Sequence, residues 1–365
     1  MIKSLEGKFS FRVQRFLCNG TEKTYFDLTN QFQEDYVSDK LREFSGYYSN
    51  RLSYKELEIL IEKITGDKQL SDTKIQQIVV DKAVEISKLQ EDKQKKLIEK
   101  QDLKMPEIAN KVNIYKEDEN EIIIFDDAIQ VKQQKAMRDK KHKKLLEEAD
   151  AEEKTKNKVS TDVVMIAKKN GDFMYIIGEI DEKGNELHPF EEIVKNEIIK
   201  EYGAEKKPLK IVAITDGAKG IRNRLLAIFG VVVTIILDWY HLCKKVRELM
   251  SMIAVNKEEK INHVKKLLYY LWRGMVNEAI EYLKTKVTAK NKQKLTELIT
   301  YLEKHKVEII DYEKRKKAGK TIGSGRMEKG VDQVIGYRQK KKGMSWSQKG
   351  SKSLGILKVA ELNDI

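Results

Sequence analysis

The sequence predicts an α/β protein: a mixed five-stranded sheet with helices on both faces, an all-helical insertion, and a helical N-terminal region before it. Three observations predict this. Strand-length runs of β-branched and aliphatic residues recur five times between 121 and 237, and amphipathic helical patterns fill the last two gaps. From 242 to 320 the apolar residues recur only at helical spacing. Before 121, two helical patterns carry their own capping residues.

At 365 residues the chain has length for two or three domains. Lys plus Arg number 71 against 58 Asp plus Glu, a net charge of +13. That excess suits a polyanion, since neutralised phosphates release counterions, although a solvated Lys-rich surface has the same composition. Cys18 and Cys243 lie far apart without a CxxC or Cys/His cluster, which points to a reducing compartment and no structural zinc. The N-terminus lacks the apolar core of a secretory signal. The longest mostly apolar run, 231–237, is far short of the roughly 20 residues that span a bilayer. No membrane partner is expected, and the expected location is cytoplasmic, associated with the nucleoid.

Residues 1–50 show no clear period. Ser53 and Glu56 then form a capping box, and Leu57, Leu60, Ile61 and Ile64 share a helical face that Gly66 terminates. Ser71 caps a second helix with Ile75, Ile78, Val79 and Ile86 inward. Helix, short glycine turn, capped helix is the outline of a helix-turn-helix over 1–86, and of an ordinary helical hairpin. In the first case the opening turn of the second helix, with Ser71 and Lys74, would meet DNA. Residues 87–120 read as a charged helical linker broken at Pro106.

The period changes to strand at 121–132, EIIIFDDAIQVK. A charged helical excursion is expected over 135–157. Two strands, 159–167 and 173–180, join through an Asn-Gly turn. Pro189 opens a helix ending near Gly203, the strand 209–215 ends at Asp216-Gly217, and a helix covers 218–229. The fifth strand, 231–237, reads as buried on both faces and therefore central. After the insertion, 322–325 breaks the helical pattern, 326–337 resumes it, and a basic tail ends in a short helix at 353–362. The core thus divides into 121–241 and 321–365 around the insertion 242–320.

The order β-β-β-α-β-α-β is that of the ribonuclease H-like fold. There an acid on the first strand, one at the end of the fourth and one on the helix after the fifth meet, here Asp127, Asp216 and Glu328. Such a set can bridge two Mg²⁺ or Mn²⁺ ions that serve an in-line displacement at phosphorus. Asp162 competes with Asp127 for the first position, and strand alternation admits only one of Asp126 and Asp127. Each acid also has a bland reading, as an N-cap or a helix-dipole partner. Asp238 and His241 form a D-x-x-H at the end of the fifth strand, where the His could orient a phosphate, shuttle a proton or hold a helix end.

FDDAIQVKQQK, ITDGAKGIRN, LDWYHL and IGSGRMEKGVDQVIGYRQKKKGMSWS together resemble the DDE transposases of bacterial insertion sequences related to the Mutator-like superfamily. The likeness runs from about 121 to 346, with Ala128 where that family has Gly. It implies hydrolysis at element ends followed by attack of the freed 3′-hydroxyls on target DNA. It also implies that the helix-turn-helix reads terminal inverted repeats, and that Arg326, Arg338, Lys340, Lys341, Lys342 and Trp346 grip DNA. A homodimer or larger synaptic complex would bring two ends together. A ribonuclease H-like nuclease without strand transfer, or an inactivated DNA-binding derivative, would carry much of the same pattern.

Overall fold

The computed structural model describes residues 2–10, 12, 14–25, 36–134, 158–340 and 343–365. The N-terminal region opens with short strands: β1 (Ile2–Ser4), β2 (Gly7–Phe9), β3 (Arg15–Cys18), β4 (Thr21–Thr24) and β5 (Tyr36–Val37). β3 and β4 are joined by Asn19 and Gly20, both at positive φ (51° and 77°), the pair a tight hairpin turn requires. Helices α1 (Asp39–Ser49), α2 (Tyr54–Thr65) and α3 (Asp72–Gln101) follow.

The local signals around α2 act as the sequence suggests. Ser53 Oγ accepts from the Glu56 amide at 3.2 Å while the Glu56 carboxylate accepts from the Ser53 amide at 2.6 Å. Gly66 closes the helix at φ +75°, and Ser71 Oγ accepts from the Lys74 amide at 3.2 Å to start α3. Leu41, Leu57, Ile61, Leu70, Ile75 and Ile78 form a small core between these helices. α3 then runs unbroken through the boundary expected at 86. Val79, Ala83 and Val84 continue its buried face into the main core, and beyond 86 it buries Ser87 and Gln94.

The sheet comprises β6 (Ile122–Lys132), β7 (Lys158–Ala167), β8 (Phe173–Ile177), β9 (Ile211–Thr215) and β10 (Thr234–Leu237). α4 (Phe190–Tyr202) and α5 (Lys219–Phe229) connect the last three strands. The spatial order is β10-β9-β6-β7-β8, with β7 antiparallel to β6 and β8 in turn to β7, while β9 and β10 run parallel to β6. Alternation along the strands separates two cores. Phe125, Ile129, Val163, Met165, Val212, Ile214 and Ile236 share one core. Ile124, Val164, Ile166, Ile211 and Ala213 lie on the other face with Ile193 and Ile198 of α4 and Leu225 of α5. The helical excursion expected over 135–157 lies outside the described residues.

The stretch 231–237 departs from expectation. β10 is an edge strand, not a central one, and it begins only at Thr234. Gly230–Val232 make a 3₁₀ turn that leaves Val231 90% exposed. Ile236 and Leu237 are buried because the chain returning from the insertion covers that end of the edge. Leu237 N–H donates to the Glu308 carbonyl at 2.9 Å, and the Tyr312 hydroxyl donates to the Leu237 carbonyl at 2.7 Å.

The insertion itself is helical, as expected: α6 (Trp239–Ile253), α7 (Lys257–Trp272), α8 (Val276–Lys286), α9 (Lys292–Lys304) and α10 (Tyr312–Lys317). Trp272 packs edge-on against Trp239 at 4.8 Å and stacks near Tyr312 at 6.3 Å. The chain then returns to the sheet as α11 (Gly325–Val331), which widens into π-helical turns over Asp332–Lys340, and ends in α12 (Gln348–Leu362). α12 is not a tail. It starts at Gln348, capped by Ser347, and is buried on nearly every side between the sheet and α3. Its small residues permit this: a Cβ on Gly355 would meet Ile177 Cδ1 at 2.6 Å.

Candidate active site

Strand alternation decides which acids share a face. Asp127 lies on the Phe125–Ile129 side of β6, opposite Val163 of β7. Asp216 follows Ile214 by two residues, just beyond the end of β9, and so continues that same side. Asp126 and Asp162 point to the other face, where both meet Arg224 of α5 at 3.2 Å. The alternative first acid, Asp162, is therefore separated from Asp216 by the thickness of the sheet.

Each carboxylate is held differently. Asp127 is half-buried, and its Oδ1 accepts from the Ala128 amide at 2.7 Å. Burial pushes its carboxyl above the usual range, opposed by that hydrogen bond and by His241, while the negative charges of Asp216 and Glu328 add to the rise. Asp216 Oδ1 accepts from the Ala218 amide at 2.8 Å, within the turn that precedes α5. Glu328 is exposed on the first turn of α11. Gly330 seats that helix on the sheet, because a Cβ there would collide with Met165 Sδ of β7.

Asp238 has a structural task, with only 1% of its surface exposed. Its Oδ1 accepts from the amides of Tyr240 at 2.5 Å and His241 at 3.0 Å, capping α6. Its Oδ2 accepts from both the amide and the hydroxyl of Ser324, immediately before α11. Trp239 N–H also reaches the Ile322 carbonyl at 3.2 Å, and Gly323 passes so close that a Cβ would lie 2.5 Å from the Tyr240 ring. Asp238 thus ties the end of β10 to the helix that carries Glu328. Burial would raise its carboxyl, but His241, Ser324 and the backbone amides hold it at about 2. His241 Nδ1 stands 3.7 Å from Asp238 Oδ2, an ion-pair separation too long for a hydrogen bond. The Asp238 charge raises the His241 imidazolium against burial, with Asp216 and Asp127 contributing.

A cleft of about 360 Å³ opens beside Asp216, lined by His241, Lys244 and Lys245 of α6 and by Tyr301, Lys304 and His305 at the end of α9. Sequence reading did not single out the α9 residues. They reach the site only through tertiary packing, and a helical Tyr-x-x-Lys-His carries no local signal. Among the described residues no three His, Cys, Asp or Glu side chains gather at metal-ligating distance.

Several expected DNA contacts face elsewhere. Arg338 and Trp346 are turned inward, 3% and 4% exposed. Arg338 Nε donates to the Ser49 carbonyl at 2.7 Å, and its guanidinium lies 4.9 Å from the Trp346 ring and 5.6 Å from the Tyr54 ring. Trp346 Nε1 donates to the Gln339 carbonyl at 3.1 Å, and its backbone pairs with Lys132 and Gln134 beside β6. The physical reason is that π-stacking and a fork of donors serve an interdomain clamp as well as they serve nucleic acid. Burial also pushes the Tyr54 phenol up to about 12, against the lowering effect of the Arg338 charge. Arg326 and Lys340 are exposed, as are Ser71 and Lys74. The Ser71 hydroxyl is engaged as a cap. Lys341 and Lys342 lie outside the described residues. Replacing Arg338 by Lys keeps the charge but loses the fork; it is expected to lower stability by about 2 kcal/mol in denaturant unfolding. DNA affinity should be little changed.

Asp126 supplies a second test of face assignment. It is 3% exposed, and Arg224 sits at 3.2 Å without the geometry of a hydrogen bond. Burial pushes its carboxyl up to about 8 despite Arg224. A raised folded-state value means that stability is full below about pH 4 and declines as pH rises towards 8. Asp126→Asn is therefore expected to stabilise the protein above pH 7, by about 2 kcal/mol, and to flatten that decline in melting curves against pH.

No family model matches the chain, and no curated protein or solved structure matches it. Among the described residues no helix is long and apolar enough to cross a membrane. The site has to be judged by its own chemistry.

Proposed function

We propose that the chain is a DNA transposase that cleaves and rejoins phosphodiester bonds at a ribonuclease H-like site, in the manner of the insertion-sequence DDE transposases it resembles. One observation carries the reading. Asp127 and Asp216, distant in sequence, continue the same side of the sheet, and α11 with Glu328 packs Met327 and Val331 into the core on that side. The strand order, with the first strand of the sheet in the middle and the last two parallel to it, supports the fold assignment. The strongly positive chain supports a nucleic-acid partner.

The donor set suits Mg²⁺ or Mn²⁺, because all three side chains offer hard oxygens. Asp127, Asp216 and Glu328 would hold it, although in this structure they do not close into a three-ligand group. When bound, such ions stabilise charge on the attacking and leaving oxygens.

The chain's own residues do the rest. Lys244 and Lys304 line the cleft beside Asp216 and are placed to neutralise a phosphate backbone entering it. Asp238 fixes the approach of α11 and thereby of Glu328. The exposed Lys74 side chain on the first turn of α3 offers a phosphate contact for reading terminal inverted repeats, while the amides of that turn are taken by Glu58, Asp72 and Ser71. Because a transposition event handles two ends, the working unit would be a homodimer or larger synaptic complex, and the nucleoid its location.

The test is incubation of the full chain with Mg²⁺ and DNA carrying the sequences that flank its own coding region. The expected product is a nick at the boundary with a free 3′-hydroxyl. Binding without any cleavage would favour an inactivated derivative.

A further inference from the structure

One buried assembly lies against the candidate site, at the end of α9. His305 is 1% exposed, and its Nδ1 stands 2.5 Å from Glu308 Oε2. Glu308, also buried, is fixed from two more directions. Its other carboxylate oxygen accepts from Arg222 of α5, and its carbonyl accepts from Leu237 N–H at the edge of β10. Through Glu308 the imidazole is thus referenced to two elements, α5 by Arg222 and the edge of β10 by Leu237.

The far edge of the ring meets the turn that presents Asp216. A Cβ on Gly217 would lie 2.8 Å from His305 Cε1 and 3.2 Å from Nε2. Gly217 has φ +84° and no side chain, so the ring packs directly on the backbone beside Asp216. His305 also forms part of the cleft wall with Asp216 and His241, and Tyr301 covers its ring at 4.8 Å. A carboxylate only accepts, so Nδ1 faces Glu308 with its proton, and in that tautomer Nε2 carries the acceptor lone pair. No hydrogen-bond partner for Nε2 occurs among the described residues.

We infer that His305 is a further catalytic residue: its Nε2 accepts the hydrogen bond of the attacking O–H, water in cleavage or a 3′-hydroxyl in joining, and takes that proton as the oxygen bonds to phosphorus, while the P–O3′ bond opposite breaks and the departing 3′ oxygen is protonated from solvent. This rests on the transposase reading of the site. Carboxylate, imidazole and hydroxyl in series is the general arrangement by which a base orients a nucleophile, with the acid fixing tautomer and ring plane. Here the ring plane is fixed twice over, by Glu308 on one edge and Gly217 on the other.

Two substitutions separate this role from packing. Asn at 305 can keep the bond to Glu308 but offers nothing to the cleft, whereas Gln places an amide near the position of Nε2. In single-turnover cleavage by the full chain with Mg²⁺, His305→Asn is expected to be about 10²-fold slower than wild type. His305→Gln should recover part of that loss, because its amide accepts the hydrogen bond without taking the proton, and both should bind DNA as the wild type does. Wild-type rates in both variants would overturn the inference, as would equal losses that follow a fall in melting temperature. A wild-type chain that cleaves no DNA would overturn the reading of the site itself, and this inference with it.

Discussion

Asp216→Asn and Glu328→Gln are each expected to reduce DNA cleavage by on the order of 10³-fold, with end binding in gel shifts nearly unchanged. The two positions make the comparison informative because their surroundings differ. Asp216 also accepts from the Ala218 amide, and an Asn oxygen can keep that turn bond, so the fold should survive. Glu328 is exposed with no capping duty, and Gln there should leave the melting temperature where it was. A large loss of stability at Glu328, or loss of DNA affinity without metal, would mean that these acids hold the structure together rather than act on a phosphate.

Asp238→Ala is expected to be the most destabilising single change near the site. It removes the cap of α6 and leaves the amide and hydroxyl of Ser324 without their acceptor in a buried place. Caps of this kind are worth about 1 kcal/mol and a broken buried charge network about 3 kcal/mol or more. The pH dependence has a definite sign. With its folded-state carboxyl at about 2, below the ordinary 3.8, Asp238 stabilises the fold above about pH 4. That stabilisation, roughly 2 kcal/mol, is lost as pH falls from 4 towards 2. Denaturant unfolding of wild type and Asp238→Asn across this window should show the two curves converging at the acid end. Parallel curves would contradict the tie between β10 and α11.

Legibility of the fold followed the range of the interaction involved. Ser53, Glu56, Gly66 and Ser71 were readable because capping is settled within four residues. The order of strands and helices from 122 to 237 was readable because periods of 2 and 3.6 are local. The Asn19-Gly20 turn carried an equally local signal that went unused. Placement of β10 was not readable. An edge strand covered by a distant return segment has the same apolar run as a central one, and only the Glu308 and Tyr312 contacts distinguish them. Arg338 and Trp346 were misassigned for a related reason. In a Lys-rich stretch, an Arg and a Trp suggest phosphate and base contacts, yet Tyr54 and Ser49, far away in sequence, claim them as a clamp. His305 and Glu308 were invisible until α9 was seen beside Gly217.

The most direct measurement of the central claim is strand joining. DNA ends already cut to expose the 3′-hydroxyl at the element boundary are incubated with the full chain, Mg²⁺ and a supercoiled target plasmid, and the products are sequenced across each junction. The expected result is a covalent bond between the element's 3′ oxygen and a target phosphate, absent with Asp216→Asn. Nicking of plasmid and ends with no joined product would contradict the transposase reading and leave a nuclease in its place.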